Sequence, residues 1–254
     1  MSPIVAKVME DVEHVAHGFF TRMRDDGKTP LDFDYRKGAP ELLTRSYEYA
    51  ADVLGISSKR IYVTNQVHGD GIQLLRTVPD EASVRGTVEN DAVVTDVSGV
   101  ALTVLTADCV PILIADRIRR AAAAVHAGWR GTALEIGKKA VRVMTDAFGS
   151  SPGDLVAAVG PSIGSCCYQV GPEVLNSMRS VFSWADSYIE RETDGHGHLD
   201  LQGINREALV DAGLDRERVE VVFRCTACDK DLFYSYRRDG DGTGRMLSAI
   251  VLKK

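Results

Sequence analysis

Within residues 92–125 the chain strings together four short apolar runs, AVVTD, VALTVLTADC, VPILIAD and AAAAV, separated by Asp, Ser, Gly and Arg residues. Runs of this length are short for helices. They are also too continuous for half-exposed strands, whose side chains would alternate between apolar and polar. They suit strands buried on both faces. Whatever the chain folds into must therefore cover these strands from two sides.

The flanking sequence supplies the cover. Pro40–Leu54 places Leu42, Leu43, Tyr47, Ala50 and Leu54 at helical spacing, with Gly55 as a stop. Residues 132–148 predict a helix whose apolar face is Leu134, Ile136, Ala140, Val141 and Met144. Thr132 and Glu135 offer a capping box at its start and Gly149 an end. A further helix begins at Pro172 and carries Val174, Leu175, Met178 and Val181; another covers 204–212 and stops at Gly213. Strands are expected at 17–22, 60–66, 72–78, 155–159, 219–223, 232–236 and 246–252. Strands and helices interleave without regular βαβ alternation. This predicts an α/β (α+β) protein with a mixed sheet covered by helices on its faces. No linker, repeat or low-complexity tract divides the chain, so residues 1–254 are expected to form a single domain.

Composition narrows the function classes. Lys and Arg number 30 against 36 Asp and Glu, a formal charge of −6, which gives no cationic surface of the kind nucleic acid needs. No apolar run approaches a membrane span, and MSPIVAKVMEDVEHVAHGFF carries acids where a signal peptide needs an apolar stretch. Five cysteines without such a signal fit a reducing compartment, the cytoplasm. No marked apolar stripe is left exposed, so a monomer or weak homodimer is expected.

Chemistry is carried by three residues lying just past apolar runs: His68 in TNQVHGD, Cys109 in LTVLTADC and His126 in AAAAVHAGWRG. They are 41 and 17 residues apart and form no local motif. If the runs are strands of one sheet, their ends can bring two imidazoles and a thiolate together. That set leaves a catalytic zinc (Zn2+) with an open fourth position, whereas a closed structural site would bring a fourth ligand. Read blandly, the same residues are two turn histidines and a buried thiol. Asp108 either orients a ligand histidine, accepts a proton or merely caps a turn. Arg130, in the Gly-containing AGWRGT turn, offers a planar fork to an oxyanion; Arg237, on a run, 234–238, that alternates like a strand, is either a second anion contact or part of a solvated face.

Other motifs read as structural. Cys166-Cys167 and Cys225-Thr-Ala-Cys228 are expected to be packing thiols, because no second CxxC completes a four-cysteine zinc site. His196-Gly-His198 reads as a solvent loop. His14 and His17 read as structural, with His17 near enough to reach a pocket. Six histidines in all are too few for several copper centres.

Six blocks in order, NQVHGD, TADCVPILIAD, AAVHAGWRGT, VGPSIGSCCYQVG, LDLQGINREAL and CTACDKDLFYSYRRDGDGTGRMLSAI, resemble the purine nucleoside phosphorylase family formerly called laccase-like polyphenol oxidoreductases, which includes a bacterial peptidoglycan-editing factor. The resemblance spans almost the whole chain. It implies a three-layer α-β-α domain related to a cysteine-hydrolase fold, with one zinc held by His68, Cys109 and His126. It also implies phosphorolysis of adenosine, inosine, guanosine and methylthioadenosine together with adenosine deamination, so purine nucleosides and phosphate are the expected partners. Within it Asp108 and Arg130 are candidate catalytic residues, and Arg130, Arg237 and Gln66 candidate substrate contacts. The chain departs from the family pattern after HGFFTR, where MRDDGKTPLDFDY replaces a Gly-Gly-Val-Ser stretch, and at Thr44-Arg45, where an Asn-Arg pair is expected. Two other readings of the same residues stand beside this one. Cys109 could be a nucleophile activated by His126 or His68, cleaving an amide in a muropeptide precursor. Alternatively the ion could only stabilise a binding module.

Overall fold

The computed structural model describes residues 3–79 and 85–254. In chain order the elements are β1 (Val15–Phe19), α1 (Pro40–Leu54), β2 (Ile61–Asn65), β3 (Ile72–Leu75), β4 (Arg85–Glu89), β5 (Ala92–Thr95), β6 (Ala101–Thr106), β7 (Val110–Asp116) and β8 (Ala122–Ala127). They continue with α2 (Trp129–Ala133), α3 (Ile136–Phe148), β9 (Leu155–Val159), β10 (Gln169–Val170), α4 (Pro172–Val181), β11 (Ile189–Thr193), β12 (His196–Leu199), α5 (Leu201–Asp211), β13 (Val219–Val221), α6 (Tyr236–Asp239) and β14 (Met246–Leu252). Among the described residues no helix is long and apolar enough to cross a membrane.

The fold is mixed α/β, as the interleaved pattern predicts, and its middle layer is double. One sheet has the order β1-β14-β6-β2-β4, the other β13-β9-β7-β8-β5-β3, and each mixes parallel with antiparallel pairs. Side-chain alternation explains the stacking. On β7, Leu113 and Ala115 face the first sheet, meeting Phe19, Tyr62, Leu102, Val104 and Ile250 in one cluster. Val110, Ile112 and Ile114 point the other way, into a cluster with Ile136, Val141 and Met144 of α3 and Ile204 and Leu209 of α5. Leu247, Ala249 and Val251 of β14 turn outward onto Tyr47, Ala50 and Leu54 of α1. Each central strand thus has an apolar neighbour on both faces, which is why its sequence does not alternate.

Several local expectations are corrected. The capping box does not form: Thr132 is already inside α2, its hydroxyl accepts from Asn205 Nδ2, and Glu135 sits in the left-handed region (φ 58) between α2 and α3. Residues 232–236 are not a strand, because the Ser235 hydroxyl accepts from Arg238 N and starts the short helix α6. His196-Gly-His198 is no loop; it forms β12, the middle of a small sheet β10-β12-β11. Gly197 is buried there, where a Cβ would stand 3.1 Å from Ile189.

The two large sheets interlock at Gly160, just past β9. A Cβ at this position would lie 2.2 Å from the Phe19 ring on the opposite sheet. Gly160→Ala is therefore expected to lose about 1–3 kcal/mol through overpacking. Urea unfolding checks this, and an unchanged midpoint would mean the sheets do not lock here.

Candidate functional site

Three donors converge where the two sheets meet. His68 lies in the turn after β2, at φ 59, and β2 belongs to the first sheet. From the end of β6, in that same sheet, the chain crosses through residues 107–109 into β7 of the second, and Cys109 is the last residue of the crossing. His126 is the penultimate residue of β8, opposite Pro111 in the ladder. The strands therefore come from two sheets rather than one, yet the donor atoms of His68, Cys109 and His126 lie within 4.8 Å of one another. The two imidazoles meet edge to face, with ring centres 4.9 Å apart. Gly128 makes room for them, since a Cβ there would stand 3.1 Å from Cys109 Sγ and 3.2 Å from His68 Cδ2.

Asp91, immediately before β5, holds this arrangement, and the sequence reading missed it. Its carboxylate is fully buried. Oδ1 pairs with His126 Nδ1 at 2.8 Å and accepts from His68 N at 3.0 Å, while Oδ2 accepts from Gly69 N at 2.7 Å and Val67 N at 3.3 Å. Pairing Nδ1 with a carboxylate leaves the other ring nitrogen of His126 for a metal, the usual support of a ligating imidazole. Burial opposes the charge on Asp91, but the His126 hydrogen bond and the backbone donors outweigh it and hold its pKa below the usual range. The only sequence signal was position: Asp91 precedes an apolar run, as Cys109 does.

The same competition sets the thiol. Burial would push the Cys109 pKa up; the charged His126 ring and hydrogen bonds from His126 and His68 overcome this and bring it down to about 6. For His126 burial works against the imidazolium, whereas Cys109 and Asp91 favour it, and the pKa rises to about 9. Without a metal the pair is a thiolate and an imidazolium between those values. A cation among the three donors takes the place of the imidazolium proton. The donor set fits one: donors bonded at about 2.0–2.3 Å to a tetrahedral centre stand about 3.3–3.8 Å apart, compatible with three donor atoms that all lie within 4.8 Å of one another.

Above the donors opens a cleft of about 540 Å³, within the size range of small-molecule sites. Its walls are cationic and aromatic. Arg36, Lys37, Arg130, Arg237 and Arg245 line it together with Trp129, Tyr168 and Tyr236. Arg130 lies 4.4 Å over the Trp129 ring. Arg237 Nη1 donates to the carbonyls of Cys167 and Gln169. The divergent segment after HGFFTR supplies Asp34 to this wall and Arg36 and Lys37 follow directly after it, whereas Thr44 and Arg45 are exposed on α1 and do not line it.

Other candidates take different places. Asp108 is buried at φ 93, a backbone conformation that costs energy for a non-glycine residue. Its carboxylate is hydrogen-bonded elsewhere than to the candidate ligand histidines: it accepts from Thr226 Oγ1 at 2.6 Å, Ser235 Oγ at 3.0 Å and Arg237 N at 2.6 Å, bracing the Arg237 wall. Gln66 lines the cleft, but both ends of its amide are bound to the backbone of Leu105, each at 2.8 Å. His17 is turned away from the cleft: Nε2 accepts from Ala6 N, and burial lowers its pKa to about 4. Cys166-Cys167 and Cys225-Thr-Ala-Cys228, read separately as packing thiols, come together with all four sulfurs within 4.8 Å.

Fold and cleft define a class of mixed α/β proteins that present two imidazoles and a thiolate at the seam between stacked sheets. Residues 17–253 match the family described as multi-copper polyphenol oxidoreductase laccase, and the chain belongs to it. It is 33% identical over 219 residues to purine nucleoside phosphorylase YlmD of Bacillus subtilis, covering 84% of this chain and 78% of that protein. It is 38% identical over 243 residues to a purine nucleoside phosphorylase of Deinococcus radiodurans, covering 94% and 90%. Over 208 residues it is 33% identical to adenosine deaminase RL5 from an unknown prokaryotic organism, covering 79% and 78%. The crystal structure of the Bacillus licheniformis hypothetical protein YfiH superposes with a TM-score of 0.89 at 32% identity, covering 96% and 95%.

In chelator-treated protein, alkylation of the Cys109 peptide followed by mass spectrometry should accelerate as pH rises through about 6 and change little above 7.5. The thiolate is the reactive form, so the rate rises with pH. His126→Ala should move that midpoint upward toward an ordinary thiol; an unmoved midpoint would show that the imidazolium does not stabilise the thiolate.

Proposed function

We propose that the protein is a zinc-dependent purine nucleoside phosphorylase that acts on adenosine, inosine, guanosine and methylthioadenosine and also deaminates adenosine. The observation that carries this reading is the His68, Cys109, His126 set lying under a cleft lined by cations and aromatic rings. The names of the Bacillus and Deinococcus relatives and of RL5 support it.

His68, Cys109 and His126 would hold the ion, which when bound supplies a Lewis acid that activates water or polarises a substrate oxygen. The rings of Trp129, Tyr168 and Tyr236 offer stacking faces to a purine. In phosphorolysis, phosphate attacks the anomeric carbon of the ribose, and the bond to the purine breaks with its electron pair leaving on the base. Arg130 binds the phosphate through its planar fork, held by the Trp129 ring beneath it. Arg237 is the second anion contact, fixed by the two carbonyls it bonds and by Asp108 at its own backbone N–H. Asp108, which lines the cleft, is the candidate proton shuttle for the departing base.

A second reading has its own observation. Cys109, His126 and Asp91 stand in the order nucleophile, base and orienting carboxylate, with the last link at 2.8 Å. On that basis the chain would hydrolyse an amide in a muropeptide precursor without metal. Zinc dependence separates the two.

Incubation with inosine or adenosine, with and without phosphate, is expected to give phosphate-dependent ribose-1-phosphate and free base, and ammonia from adenosine. Chelation should abolish both and zinc restore them. Purine release indifferent to phosphate would count against phosphorolysis, and full activity after chelation that alkylation of Cys109 abolishes would favour the amide hydrolase. Arg130→Ala should raise KM for phosphate roughly 10- to 100-fold, the equivalent of one charge-assisted hydrogen bond; an unchanged KM removes Arg130 from the phosphate site.

A further inference from the structure

Away from the cleft floor, two loops bring four thiols to one point. Cys166 and Cys167 lie in the loop between β9 and β10, and Cys225 and Cys228 in the loop after β13. A parallel bridge between Ser162 and Cys225 and the hydrogen bond from Thr226 N to Ser162 O align the two loops. The Cys228 sulfur lies 3.6 Å from that of Cys166 and 3.4 Å from that of Cys167, and all four sulfurs are within 4.8 Å of one another. A disulfide would need about 2.05 Å. Four sulfurs arranged tetrahedrally at about 2.3 Å around zinc are separated by about 3.8 Å, much closer to what the structure contains. Two further observations point the same way. Gly164 N donates to Cys225 Sγ at 3.3 Å, the kind of support that ligating sulfur receives from backbone amides. A Cβ on Gly164 would lie 3.2 Å from Cys225 Cβ and 3.4 Å from Cys166 Sγ, so the loop can wrap this cluster closely only with glycine there.

We propose that Cys166, Cys167, Cys225 and Cys228 form a second, four-thiolate zinc site that clasps the two loops together. Adjacent cysteines replace the second CxxC of the usual pattern, which is why the spacing conceals the site. With four protein ligands the ion has no open position, so its role is to hold structure rather than to turn over substrate. The clasp lies behind the cleft wall. Its first loop carries Ile163 and Tyr168 into the cleft, and its second carries Thr226, which donates to Asp108. The carbonyl of Cys167 itself accepts from Arg237. Whatever the cleft turns over, the ion fixes the spacing of that wall.

Zinc counted in the full chain, purified under reducing conditions with zinc present, provides the test. Cys225→Ser should lose one zinc equivalent per chain, and a His68→Ala/His126→Ala double variant should keep that equivalent. A second measurement avoids reliance on a variant that folds poorly. Cobalt titrated into chelated wild-type protein should give an intense sulfur-to-cobalt charge-transfer band, most of which survives in Cys109→Ser. Equal zinc in wild type and Cys225→Ser would overturn the proposal. So would a cobalt band that disappears with Cys109, or a disulfide among the four cysteines in zinc-loaded protein.

Discussion

Asp91 is an anion with no exposure to water, and four donors compensate it: the His126 ring and the backbone N–H groups of Val67, His68 and Gly69. A buried carboxylate is tolerable only when its hydrogen-bonding capacity is used, so this residue fixes all of its partners at once. Those partners come from both sheets: Val67, His68 and Gly69 lie on the turn that leaves β2 of one, and His126 lies on β8 of the other. The distance between the two candidate ligand histidines is thus set by one carboxylate rather than by either histidine. Cys109 joins the two histidines on the crossing between the sheets.

Much of the scaffold was legible in the chain. Helix α1, strands β9 and β14 and the central apolar strands lie where spacing and continuity put them, because burial on two faces leaves a pattern that local sequence cannot hide. The division of the strands between two sheets was not legible: a run buried by a helix and a run buried by a second sheet look alike. The donor set His68, Cys109 and His126 was readable as residue types, but their meeting depends on the crossing at residues 107–109. Asp91 and the four-cysteine cluster escaped because their partners are distant in sequence, and Cys166-Cys167 alone has no spacing that signals a ligand pair. The capping box at Thr132 failed for a tertiary reason, since Asn205 claims the hydroxyl.

The family description speaks of several coppers, and the histidines of this chain are distributed otherwise. His14 meets the carbonyl of Asp116, His17 the amide of Ala6, His196 the carbonyl of Asp194 and His198 that of Ser165. Four of six imidazoles are therefore engaged with backbone at separate places, and the remaining two converge with Cys109. The side chains above them are cationic and aromatic.

Asp34, Arg36 and Lys37 reach the cleft from a stretch that belongs to neither sheet and follows none of the strand registers. Leu31 and Phe33 anchor this stretch in the cluster between α1 and β14, whereas Arg36 and Lys37 stand exposed at the mouth of the cleft. Selection can therefore change the two cations at the mouth without disturbing the base of the cleft, so relatives with the same three donors are free to differ in what that mouth admits.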